Sequence, residues 1–131
     1  MAELEKKLKK AIENDKASSL LENLSKVSCL IIDEVGHCDP LNGRESNLFF
    51  QILDNRYDKG KGSTVFTSNM KPSEWRPLFF NASVARCALD RIMDRCIAID
   101  IRGASYRGQQ KNVFKISTSS VPEVTGLNLY Q

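Results

Sequence analysis

The chain has no long apolar run. Its longest hydrophobic stretches fall far short of the roughly 20 residues a helix needs to cross a bilayer, and no signal-peptide pattern opens it. Cysteine is sparse, at positions 29, 38, 87 and 96, without a Cys-x-x-Cys pair, and His37 is the single histidine, so the ligand spacing of a zinc module is missing. Cys29 and Cys96 each open an apolar segment, where a free thiol commonly serves as a small core residue. Neither a disulfide framework nor a membrane anchor is expected, and reduced thiols in the cytoplasm are the default. Glycine is also thin, with seven residues, of which only Gly60 precedes a lysine. Lys61 is followed by Gly62, and Asn55 stands where a Gly-x-x-x-x-Gly-Lys-Ser/Thr loop requires its first glycine. That phosphate-cradling loop is absent from these 131 residues.

Charge excess is small too, at +3, but it is uneven. Residues 1–26 carry six lysines against five acids, residues 27–70 four bases against six acids, and residues 71–131 nine bases against five acids. An acidic middle beside a basic end suits a metal–phosphate site next to a nucleic-acid-facing surface, although ordinary surface charge reads the same way.

The most informative segment is Ser28-Cys-Leu-Ile-Ile-Asp-Glu34. Leu30, Ile31 and Ile32 form an unbroken apolar run, as in a strand buried on both faces of a parallel sheet. Asp33 and Glu34 then fall at its carboxyl end, where open α/β sheets bind ligands. In P-loop ATPases an aspartate at this place holds Mg²⁺ and a following glutamate can polarise the attacking water.

Around it the pattern alternates. Helices are predicted over residues 2–14, with Leu4, Leu8, Ala11 and Ile12 on one face, and over 18–25, with Leu20, Leu21 and Leu24 inward. A strand at 28–33 leads through a Gly/Pro/Asn loop to a helix at 44–58, carrying Leu48, Phe49, Ile52, Leu53 and Arg56 or Tyr57 at helical spacing. A β-branched strand spans 63–68, Pro72 starts a short helical turn, a helix spans 82–94 with Val84, Ala88 and Ile92 inward, and 96–101 alternates as a third strand. Beyond Arg107 the pattern dissolves, and 109–131 is expected to be a loose tail. Strands alternating with helices imply an α/β fold with helices layered on a parallel sheet. Trp75 and the pairs Phe49-Phe50 and Phe79-Phe80 are expected in the core or an interface.

In a parallel sheet Asn69, ending Thr67-Ser-Asn, emerges at the same edge as Asp33 and Glu34. It is placed to orient a water or touch a γ-phosphate, and Arg86, Arg91 and Arg95 of the next helix are candidates for phosphate charge. A solvated face paired with Asp90 and Asp94 is the lesser alternative for these arginines.

In their order, Leu30-Ile-Ile-Asp-Glu-Val-Gly36, Asn47-Leu-Phe-Phe-Gln51, Arg56-Tyr57, Thr67-Ser-Asn69, Glu74-Trp75, Leu89-Asp-Arg91 and Ile101-Arg-Gly-Ala-Ser-Tyr-Arg107 resemble IstB-like proteins. These are AAA+ ATPase helpers of insertion-sequence transposition, related to the helicase loader DnaC and the initiator DnaA. The resemblance covers residues 3–107 and implies ATP and Mg²⁺ as cofactors of the parent protein. It makes Asp33 the Mg²⁺ residue and Glu34 the water-activating residue of a Walker B pair, Asn69 sensor 1, and Arg91, with Arg86 the weaker candidate, the arginine that reaches nucleotide. The helices at 2–25 stand where initiator-clade members face DNA, so Lys6, Lys7, Lys9 and Lys10 become candidate phosphate contacts; a solvated lysine face is the ordinary alternative. Implied partners are DNA, a transposase or replicative helicase, and further AAA+ subunits.

The resemblance also implies an incomplete core, because the P-loop strand and helix of a P-loop NTPase have no counterpart here. The expected three-layer sheet then retains three strands, with 96–101 pairing directly with 63–68 or a partner chain filling the slot. The chain alone is expected to lack ATPase activity. A DnaC-like loader fragment and a non-enzymatic module binding AAA+ subunits or DNA are the alternatives.

Overall fold

The computed structural model describes residues 1–59, 62–103, 115 and 116. They fall into two units, Met1–Arg95 and Cys96–Gln131.

The first unit begins with α1 (Ala2–Glu13) and α2 (Ala17–Lys26). Leu8 and Ala11 of α1 are buried, and Leu4, Ile12, Leu20, Leu21 and Leu24 pack half-buried on the same core. The chain turns between them at Asp15, whose φ of 55° lies in the left-handed region. Next come β1 (Cys29–Ile32), α3 (Gly43–Lys59) and β2 (Ser63–Phe66). A 3₁₀ segment (Pro72–Leu78) and α4 (Ala82–Asp94) complete the unit.

Local chemistry sets the helix starts. Asn42 Oδ1 accepts from the N–H groups of Arg44 and Glu45, both at 3.0 Å, while Glu45 Oε2 accepts from the N–H of Asn42 at 3.0 Å. This reciprocal box satisfies N–H groups that a helix start leaves without partners. Asn81 does the same for α4, accepting from the N–H of Val84 at 2.9 Å. From α3 the side chains of Leu48, Phe49, Ile52, Leu53 and Arg56 are buried. Phe49 stacks on Phe79 with centroids 5.8 Å apart, and Trp75 is buried beside Phe66. Phe80 is exposed, unlike the rest of its aromatic set.

β1 and β2 pair in parallel, with Cys29 opposite Ser63 and Ile32 opposite Phe66. Among the described residues the sheet they form has two strands. Leu30, Ile32, Thr64 and Phe66 face inward, whereas Ile31 is 65% exposed and Val65 44% exposed on the other face. The reading of β1 as a strand buried on both faces is therefore corrected. An unbroken apolar run records what the strand is suited to touch, and among the described residues no element covers its second face. The three-layer arrangement is likewise not seen; the described fold is α/β with a small parallel sheet covered by helices on one side.

In the second unit, β3 (Ile101–Arg102) pairs antiparallel with β4 (Lys115–Ile116), Ile101 opposite Ile116. The third strand predicted at 96–101 is thus realised only at its end, and its partner is 115–116 rather than 63–68. Period-two alternation of Ile97, Ile99 and Ile101 reports which way side chains point, not which backbone receives the hydrogen bonds. The expectation for the tail at 109–131, apart from residues 115–116, and the motif residues Ala104–Arg107 lie outside the described residues.

Candidate functional site

The parallel ladder continues beyond the strands and builds the site. Thr67 N–H donates to the Ile32 carbonyl at 3.1 Å, and Val35 N–H donates to the Thr67 carbonyl at 2.9 Å. This carries Asp33 and Glu34 to the end of β1 beside Thr67, Ser68 and Asn69 at the end of β2. The Thr67 hydroxyl ties the two ends together: it donates to Asp33 Oδ1 and accepts from the Glu34 N–H at 3.1 Å. Asp33 Oδ2 has no hydrogen-bond partner among the described residues.

After Asp33 the chain turns sharply. Glu34 has φ 55° and Gly36 has φ 95°, and His37 N–H closes the turn on the Glu34 carbonyl at 3.2 Å. Glycine suits position 36 because its φ of 95° is a conformation that side chains disfavour, and a Cβ there would also lie 2.6 Å from Met70 Sδ, so the Met70 side chain would have to shift. Ser68 pins the turn from the other side. Its hydroxyl donates to the Val35 carbonyl at 2.6 Å and accepts from Met70 N–H at 3.0 Å and Trp75 Nε1–H at 3.2 Å. His37 Nε2 meets Asn69 Oδ1 at 2.6 Å.

Glu34, His37, Thr67, Ser68 and Asn69 line an open cleft of about 290 Å³. Two of the anticipated residues, Glu34 and Asn69, therefore share one cleft, with Asp33 at its edge through Thr67. His37 and Thr67 were not singled out from the sequence. The signal for Thr67 was its place in the strand-end Thr-Ser-Asn; for His37 it was the spacing of three residues from Glu34 across a glycine turn.

The arginines are elsewhere. Arg91 and Arg86 stand on α4 and do not line the cleft. Arg91 pairs with Asp54 of α3 at 2.9 Å, rather than with Asp90 or Asp94, and this hydrogen bond raises its pKa above the usual guanidinium range. Tyr57 lies under both Arg91 and Arg95, 5.0 and 4.6 Å from ring centroid to guanidinium carbon, and donates to Asp94 Oδ2 at 2.6 Å. That hydrogen bond pushes the Tyr57 hydroxyl above its ordinary pKa. On α1, Lys6, Lys7, Lys9 and Lys10 are all exposed, and Lys7 pairs with Glu3 at 2.9 Å.

Cys38, adjacent to His37, is half-buried against the core, and burial raises its thiol pKa. Among the described residues no group of three His, Cys, Asp or Glu side chains could hold a metal ion on its own, and no helix is long and apolar enough to cross a membrane.

The family described as IstB-like ATP binding protein matches residues 1–113. Two relatives each carry the name of a putative ATP-binding protein of an insertion sequence. That of IS21 from Pseudomonas aeruginosa is 32% identical over 118 residues, covering 90% of this chain and 43% of the relative. That of IS232 from Bacillus thuringiensis subsp. berliner is 36% identical over 100 residues, covering 76% of this chain and 39% of the relative. The chain thus spans about two-fifths of the length of these curated relatives. No solved structure matches it. A family match over residues 1–113, a range that includes the residues of the cleft, makes this chain a member of the IstB-like ATP binding proteins.

Proposed function

We propose that this chain contributes the metal- and water-handling side of an ATP site in a protein that assists DNA transposition. The observation that carries the reading is the Thr67 clamp, which sets the Asp33 and Glu34 strand end against the Asn69 strand end around one open cleft. The donor set fits Mg²⁺, a hard cation held by one or two carboxylates while water and phosphate fill its other positions. Asp33 meets that need with one oxygen fixed by Thr67 and the other without a partner among the described residues, and a protein cage of three ligands is not required. Bound there, Mg²⁺ would offset charge on phosphate oxygens. Glu34 is assigned to orienting the attacking water and Asn69 to contacting that water or the terminal phosphate.

Arg91 and Arg86 lie outside the cleft, and we assign them to contact with nucleotide across a junction with another subunit. Lys6, Lys9 and Lys10 stand at helical spacing without an ion pair among the described residues, which supports a role in contacting DNA phosphates. Because the 131 residues contain no phosphate-cradling loop, the chain by itself is expected not to hydrolyse ATP and to bind it only in the millimolar range.

Titrating the isotope-labelled chain with Mg-ATP tests this. The amides of Asp33, Glu34 and Asn69 are expected to shift, and Asp33→Asn is expected to abolish the Mg²⁺-dependent part. Shifts that ignore Asp33→Asn overturn the assignment of this cleft, and micromolar affinity overturns the claim that the site is incomplete.

A further inference from the structure

We infer that His37 is a positioning residue that decides which end of the Asn69 side-chain amide faces the cleft. An amide is chemically two-sided: its oxygen only accepts and its nitrogen only donates. Beside an anionic phosphoryl oxygen the two ends act oppositely, since Nδ2–H donates to the anion while Oδ1 repels it. Asn69 therefore needs a partner that fixes its orientation.

His37 fills that place. Its Nε2 lies 2.6 Å from Asn69 Oδ1, an atom that can only accept, and on that geometry we assign the proton to Nε2. With Oδ1 engaged, both hydrogens of Nδ2 remain, and Nδ2 makes no hydrogen bond to a described residue. The ring with the opposite tautomer would accept from Nδ2 and turn Oδ1 towards the cleft instead. His37 is held for the task by the turn rather than by the core. Its N–H closes on the Glu34 carbonyl at 3.2 Å, Gly36 permits the turn at φ 95°, and Ser68 fixes Val35 one residue earlier at 2.6 Å. Glu34 thus begins the same four-residue turn that ends in the group orienting Asn69.

The ligand group is an anionic oxygen of phosphoryl type, and this step rests on the nucleotide reading above. His37 acts through Asn69 rather than by touching nucleotide or metal.

The test uses the full 131-residue chain, labelled on histidine and asparagine, with two readouts. Without ligand, nuclear magnetic resonance is expected to find His37 protonated on Nε2 and to find Asn69 in one side-chain conformation with contacts to the His37 ring. His37→Phe, which keeps a ring but has no donor, is expected to release Asn69 into averaged conformations. His37→Gln, whose amide nitrogen donates to Oδ1, is expected to restore the single conformation. An Asn69 signal unchanged in His37→Phe, or protonation of the ring on Nδ1 alone, overturns the inference whatever the nucleotide result. With Mg-ATP, the shift of the Asn69 amide is expected to need about fivefold more ligand in His37→Phe and to recover in His37→Gln, the size of one hydrogen bond. An ordered Asn69 that ignores Mg-ATP in the wild-type chain overturns the phosphoryl assignment and the nucleotide reading with it, while the ligand-free result then still assigns the amide's orientation to His37.

Discussion

Glu34 occupies a backbone conformation, φ 55°, that costs a residue with a Cβ about 1 kcal/mol relative to glycine. The cost is tolerated where the turn is over-determined, and here it is: the Glu34 N–H is held by Thr67, its carbonyl by His37, and the following carbonyl by Ser68. Strain of this kind is common at binding sites, since it aims a side chain away from the direction the strand would give it. Thermal denaturation checks the assignment. Glu34→Gly is expected to be more stable than Glu34→Ala by about 1 kcal/mol, and equal stabilities would refute the left-handed placement. The sequence made the placement of Asp33, Glu34 and Asn69 at one sheet edge legible, because strand ends concentrate polar groups after an apolar run. It did not make His37 legible: a single histidine beside a cysteine, without metal-ligand spacing, names no partner, and only the turn that folds residues 34–37 back towards 69 reveals one.

At the scale of elements, helices were read well because their signal is local. Predicted bounds of 2–14, 44–58 and 82–94 lie within a residue of Ala2–Glu13, Gly43–Lys59 and Ala82–Asp94. Strands were read less well, since a strand is defined by a neighbour that its own residues do not name; 96–101 is the case in point. The junction of elements that most rewards attention is Arg56. Buried on α3, it donates from Nε to Thr64 Oγ1 at 2.8 Å, from Nη1 to the Leu24 and Val27 carbonyls at 2.8 and 2.9 Å, and from Nη2 to the Ser63 carbonyl at 2.6 Å. Burial lowers its pKa, yet its four acceptors are carbonyls and a hydroxyl rather than a carboxylate. One guanidinium thereby joins the end of α2, the entry to β1 and the start of β2. Removing it leaves carbonyls without donors, so Arg56→Met is expected to cost about 2–4 kcal/mol in urea denaturation. Arg56→Lys should recover little, because an ammonium cannot reach four acceptors spread around a planar fork.

At the scale of the molecule, the parallel pairing of β1 with β2 has a consequence for how the cleft opens. An antiparallel hairpin can form and fray on its own, whereas parallel neighbours must be joined by a crossover, here α3 packed on the core. Asp33 and Thr67, 34 positions apart, meet only when that whole crossover is in place. This edge of the sheet therefore has no cheap local route to disassembly. Amide hydrogen exchange makes this measurable: Val35 and Thr67, whose N–H groups extend the ladder, are expected to exchange with the free energy of global unfolding rather than by fraying. The cleft would then last as long as the folded unit lasts, its lifetime set by a folding barrier instead of by the motion of a loop.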